Sequence, residues 1–177
     1  MALLDLHLLG SPVLRQRSAE VPGVDAETRQ FIADLFETME VAKGIGLAAN
    51  QVGVARRIAV VGAEEERLVL VNPVILSAEG RCREEEGCLS VPDVYGDVER
   101  PERIVLEALN AEGERYRREA GGLLARAIQH EIDHLDGILF LDHLSALKRQ
   151  LLLSRWKKEH RGESPIKSLR PEPARPR

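Results

Sequence analysis

Apolar residues recur at Ile32, Leu35, Phe36 and Met39, the i, i+3, i+4, i+7 spacing of a helix with one buried face. This predicts a helix from Asp25 to Ala42, with Asp25 as its cap and Gly44-Ile45-Gly46 as its stop. The period then changes. Arg57 to Val61 and Leu68 to Val71 are β-branched-rich runs suited to short buried strands, the second ended by Asn72-Pro73. Ile104 to Leu109 and Glu114 to Arg118 flank Asn110-Ala111-Glu112-Gly113, a hairpin pattern. Gly121-Gly122 precedes a helical stretch to about Leu135, stopped by Asp136-Gly137, and Ser145 can cap a last helix over 145–160. Short, mostly antiparallel strands followed by two late helices predict an α+β fold, not a doubly wound sheet. The strands are expected to pack around the helix that ends near Leu135.

A length of 177 residues suits one domain with a real core, placed at 1–162. After Gly162 come four prolines among basic residues, so 163–177 is expected to be disordered. The balance of 44% hydrophobic and 31% charged residues is that of a globular chain. No apolar run approaches membrane-spanning length, and the N-terminus lacks a secretory pattern. With only Cys82 and Cys88 there is no disulfide framework. The expected location is cytoplasmic, with neither a membrane nor DNA as partner. The net charge of −4 is unevenly spread. From Leu144 onward 10 Lys/Arg face 3 Asp/Glu, a balance of +7, while the preceding 15 and 26 give −11. The basic C-terminal helix and tail are therefore the part that would meet a polyanion, the alternative being that their charge only keeps the protein soluble.

Chemistry concentrates in Gln129-His130-Glu131-Ile132-Asp133-His134. On a helix, residues four apart share a face, so His130 and His134 can reach one metal ion with Glu131 beside them as a proton carrier. A catalytic site needs a third protein ligand. Gly137 is spaced as in a metzincin, but Phe140 stands where that pattern needs histidine. Glu159 is a distant carboxylate option in a helix end that reads as solvated. Cys88, in Glu86-Gly87-Cys88-Leu89-Ser90, would give a Cys-His-His set with one position left for water. Cys82 is assigned to packing or to no role. Gly44-Ile45-Gly46-Leu47-Ala48-Ala49-Asn50-Gln51 combines small residues with an amide donor and lacks the Lys-Ser/Thr of a phosphate loop.

In order and spacing these three segments resemble the signature motifs of peptide deformylase, and the likeness runs from about Leu6-His7 to near Lys158. The resemblance implies removal of the formyl group from N-formylmethionyl nascent peptides. Cys88, His130 and His134 would bind one divalent ion, iron(II) as the native expectation, with zinc, cobalt or nickel also suited to the set. Glu131 would act as general base and then acid toward the attacking metal-bound water, and Gln51 with the Leu89 N–H would hold the oxyanion. Ile45, Gly46 and Gly87 would pair with the peptide as an added strand. Ile45, Leu123 and Ala127 are candidates for the methionine pocket. Arg126 departs from the apolar residue some family members carry; its stem would line that pocket while its head reaches water. Glu86 and Arg100 would pair in support of the Cys88 strand, Asp133 would serve a histidine or the helix surface, and Glu84 and Glu85 would be solvated. A competing reading is a non-catalytic, metal-stabilised module that binds ribosome or RNA; it leaves Glu131 without a task. A third, a general peptidase, would use Glu159 as ligand.

Overall fold

The computed structural model describes residues 2–173. A two-residue strand β1 (Leu6–His7) leads through a 3-10 turn into helix α1 (Ala26–Val41). The Asp25 side chain accepts from the Thr28 N–H, as its capping position predicts. The helix ends at Val41, three residues before the predicted glycines. Lys43 itself takes the left-handed conformation (φ 59°), its N–H bonding Glu40 O and the Gly44 N–H bonding Met39 O. These are the two bonds of a Schellman ending, which leaves Gly44 free for a second role: a Cβ there would lie 2.6 Å from Leu89 Cδ1.

Strands β2 (Gly46–Ala48), β3 (Ile58–Ala63) and β4 (Glu66–Glu79) follow, then β5 (Cys82–Cys88), β6 (Val91–Arg100), β7 (Arg103–Leu109) and β8 (Arg115–Gly121). Next come helices α2 (Gly122–Leu135) and α3 (Ala146–Glu159), and a short strand β9 (Ile166–Lys167). All strand pairings in the sheets are antiparallel, in the orders β2-β3-β4-β7-β8, β5-β6 and β1-β9. The expectation that Asn72-Pro73 ends a strand is not met. β4 continues to Glu79, with a register shift between Val71 and Val74. Asn72 adopts φ 49° and its side chain bonds both Val21 N and Val21 O, so the bulge absorbs the donor that Pro73 lacks.

β3 is buried on both faces, which is why it reads as a continuous apolar run. Ile58 and Val60 join the core built with Leu35, Phe36 and Met39 of α1, while Ala59 and Val61 join the one built with Leu124, Ile128 and Leu135 of α2. The sheet thus presses α2 from one side and fixes its rotation. α2 ends as predicted: Gly137 at φ 76° bonds His134 O, and the Ile138 N–H bonds Asp133 O. α3 rests on the first core through Trp156, Leu152 and Leu153, and leaves its basic residues outward. Of the segment expected to be disordered, Ile166–Lys167 pairs with β1, and Leu169 packs against the first core. Residues 174–177 lie outside the described residues. Among the described residues no helix is long and apolar enough to cross a membrane.

Candidate metal centre

The last residue of β5 and two turns of α2 converge. Nε2 of His130 lies 3.2 Å from Nε2 of His134, and Sγ of Cys88 lies 3.3 Å from Nε2 of His134, with all three donors within 4.8 Å of one another. For a tetrahedral ion with ordinary Zn–N and Zn–S bonds, neighbouring donors should stand about 3.3 Å (N to N) and about 3.5 Å (S to N) apart. The set fits a metal. Its proton affinities agree. Burial alone would lower the pKa of His130, but the hydrogen bonds to Cys88 and Glu86 outweigh it and raise it well above the ordinary histidine value. The pKa of His134 is driven well below that value, by burial first and then by the charge on His130. Buried donors this rich in electrons and this close together suit a shared cation.

Glu86 governs how His130 presents its ring. Burial opposes ionisation of Glu86, but hydrogen bonds from His130 and Arg100 hold its carboxyl well below the usual carboxylate range. As an anion it accepts from Nδ1 of His130 at 2.9 Å, which leaves Nε2 facing Cys88 and His134. Arg100 clamps Glu86 through Nε (2.6 Å) and Nη2 (2.9 Å), the predicted pair, and reaches Asp133 through Nη1 (2.8 Å). Asp133 also meets Nε2 of His143 at 2.8 Å, so the histidine it serves is not a candidate ligand. The expectation for Arg126 is overturned. Its head does not reach water: the residue is 8% exposed, with Nη1 on Glu86 Oε2 (2.6 Å) and on Val98 O (2.9 Å), and Nη2 on Cys82 O (2.7 Å). A guanidinium inside a wall with three acceptors in reach has no reason to snorkel.

Glu131 is 4% exposed, and its Oε2 has no hydrogen-bond partner in the protein. Burial pushes its carboxyl up to about 7. It sits against Gly46, where a Cβ would come within 2.9 Å of Glu131 Cγ, so only glycine permits the approach. Gln51 is buried; its Oε1 accepts from Ala48 N (2.9 Å), and its Nε2 lies 3.1 Å from Ser90 Oγ and 3.6 Å from Cys88 Sγ. The amide is thereby aimed at the cysteine. A cavity of about 630 Å³ opens over this floor.

Ile45, Gly46, Gln51, Glu86, Gly87, Cys88, Leu89, Leu123, Ala127, His130 and Glu131 all line that cavity. His134 lies beneath it, fully buried, and Arg100 stands behind Glu86. Ile45 and Leu123, each 46% exposed, form its rim, and Ala127 its interior. Glu84 and Glu85 are exposed as expected. Glu159 pairs with Arg155 on the exposed face of α3 and is absent from the candidate metal group. Three contributors escaped the sequence reading. Ser90 holds Gln51 in place, Asn50 is buried with Nδ2 on His134 O (2.5 Å), and Phe140 packs its ring 6.4 Å from that of His130. Ser90 and Asn50 lay inside motifs already singled out; Phe140 carried no polar signal.

The polypeptide deformylase family model matches residues 3–150. The peptide deformylase of Rhizobium meliloti (strain 1021) is 48% identical over 164 residues, covering 89% of this chain and 94% of that protein. That of Alkalilimnicola ehrlichii is 52% identical over 154 residues, covering 85% and 86%. Among solved structures, the peptide deformylase of Ehrlichia chaffeensis in complex with actinonin superposes with a TM-score of 0.87 at 38% identity, covering 91% of this chain and 99% of that one. The Legionella pneumophila peptide deformylase gives 0.85 at 41%, covering 90% and 96%.

Proposed function

Because the chain belongs to the polypeptide deformylase family, we propose that Cys88, His130 and His134 hold one divalent ion and that Glu131 carries the protons of formyl hydrolysis. The enzyme removes the formyl group from the N-terminal N-formylmethionine of nascent polypeptides. The observation that carries the residue assignment is a buried carboxylate with one unpartnered oxygen, beside a Cys-His-His set, at the floor of a cavity of about 630 Å³.

A divalent ion held by Cys88, His130 and His134 would supply positive charge that lowers the pKa of a water molecule toward neutrality and polarises the formyl carbonyl. Glu131, buried against Gly46 with Oε2 unpartnered in the protein, accepts a proton from the attacking water and can return it to the departing amine. The C–N bond breaks, formate leaves, and the methionine amine is freed. The Gln51 amide, braced by Ser90, and the Leu89 N–H hold the developing oxyanion. Backbone groups of Ile45, Gly46 and Gly87 pair with the peptide, and Ile45, Leu123 and Ala127 receive the methionine side chain. Iron(II) is the proposed native ion, with zinc, cobalt or nickel able to replace it. The proposed location is the cytoplasm. There the outward basic residues of α3, from Lys148 to Lys158, dock on the ribosome, a contact that cosedimentation should show weakening with salt.

Release of formate from formyl-Met-Ala tests the assignment. Glu131→Ala should abolish it while metal content stays near one ion per chain. Unchanged turnover in that variant overturns the role given to Glu131.

A further inference from the structure

Glu86 meets four N–H donors, two on each oxygen. Oε1 takes Nη2 of Arg100 (2.9 Å) and Nδ1 of His130 (2.9 Å); Oε2 takes Nε of Arg100 (2.6 Å) and Nη1 of Arg126 (2.6 Å). A carboxylate offers about four lone-pair sites, so this shell is complete, and Arg126 fills one place in it. Arg126 and His130 stand four residues apart on α2, about one helical turn, and they grip opposite oxygens of the same carboxylate. The imidazole cannot rotate without turning Glu86, and Glu86 cannot turn without breaking its bond to Arg126. Arg100 ties the carboxylate to β6; Arg126 ties it to the helix that carries both histidines.

The charges also close. Arg100 and Arg126 balance Glu86 and Asp133, all four less than one-fifth exposed. Without Arg126 the group would hold one buried carboxylate in excess beside His130, a costly arrangement in a low-dielectric wall. The other two bonds of Arg126, to Val98 O and Cys82 O, anchor its head between β5 and β6.

We infer that Arg126 is a positioning residue for the metal centre, holding the Glu86 carboxylate in the orientation that points the His130 ring toward Cys88 and His134. It acts through Glu86 and touches none of the three donors. This rests on the reading that those donors hold a divalent ion.

Cobalt(II) is loaded into the full-length chain, and its visible spectrum and its rate of transfer to a chelator are recorded without substrate for wild type, Arg126→Met and Arg126→Lys. Arg126→Met should release cobalt about 10-fold faster or more, with shifted bands, since removing such outer partners costs about 10- to 100-fold in metal affinity. Arg126→Lys, which keeps the charge and one donor, should fall between that variant and wild type. An Arg126→Met protein with the wild-type spectrum and a release rate within about twofold overturns the inference, even if it melts earlier; Arg126 would then only brace two carbonyls. Should Arg126→Met not fold, Arg126→Lys decides alone. A shifted spectrum with faster release supports the inference, and wild-type behaviour overturns it. Failure of the wild type to take up about one cobalt per chain strikes the metal reading itself, before any variant is compared.

Discussion

Glu131 is placed where its charge costs stability, and replacing it should show that cost. Its carboxyl is 4% exposed with Oε2 unpartnered, and burial raises its pKa from an ordinary 4.5 to about 7. Between those values the folded state binds more protons than the unfolded state. Stability is therefore fully present below about pH 4.5 and is lost as pH rises through about 7. A gap of about 2.5 units corresponds to roughly 3 kcal/mol at 1.36 kcal/mol per unit. Glu131→Gln removes the titration but leaves an amide where the carboxylate lacked a partner, so the net gain should be nearer 1–2 kcal/mol. For a chain of this length that is about 2–8 °C in melting temperature. The assay is thermal unfolding of chelator-treated wild type and Glu131→Gln at pH 5 and pH 8. The variant should melt higher at pH 8 and about equal at pH 5, while deformylation falls by about 100- to 10,000-fold. A variant no more stable than wild type at pH 8, or a difference that does not change with pH, would refute the assignment of a buried, uncompensated charge.

Two further substitutions separate positioning from metal binding. Gln51→Ala should lower turnover about 100- to 1,000-fold with the metal retained, since one oxyanion donor is lost; full activity would remove Gln51 from that role. Gly46→Ala places a Cβ within 2.9 Å of Glu131 Cγ and should displace the carboxylate. A displacement near 1 Å can cost about 100-fold in rate, so metal content at wild-type level with unimpaired turnover would contradict the close approach.

Much of the site was legible because its chemistry is local. His130 and His134 share a face by helical period alone, and Cys88 and Gln51 sat in compact motifs, although only the fold brings them together. What sequence hid was tertiary. Asn72-Pro73 looks like a strand end, yet the Asn72 side chain finds Val21 and turns the pair into a bulge. The β5-β6 hairpin, rich in glutamate along Cys82–Cys88, shows little apolar alternation, because Glu86 and Arg100 bury as a pair. Arg126 reads as a snorkelling residue until Glu86, Val98 and Cys82 supply its partners. Lys43 takes the left-handed turn that the neighbouring glycine seemed made for, because Gly44 is needed against Leu89.

X-ray absorption of the metal-loaded enzyme reads the ligand set of Cys88, His130 and His134 itself. With zinc, one sulfur should appear near 2.3 Å and two imidazole nitrogens near 2.0–2.1 Å, with the sulfur signal lost in Cys88→Ala and kept in Cys82→Ala. A wild-type ion with no sulfur neighbour, or one whose sulfur survives Cys88→Ala, would contradict that ligand set.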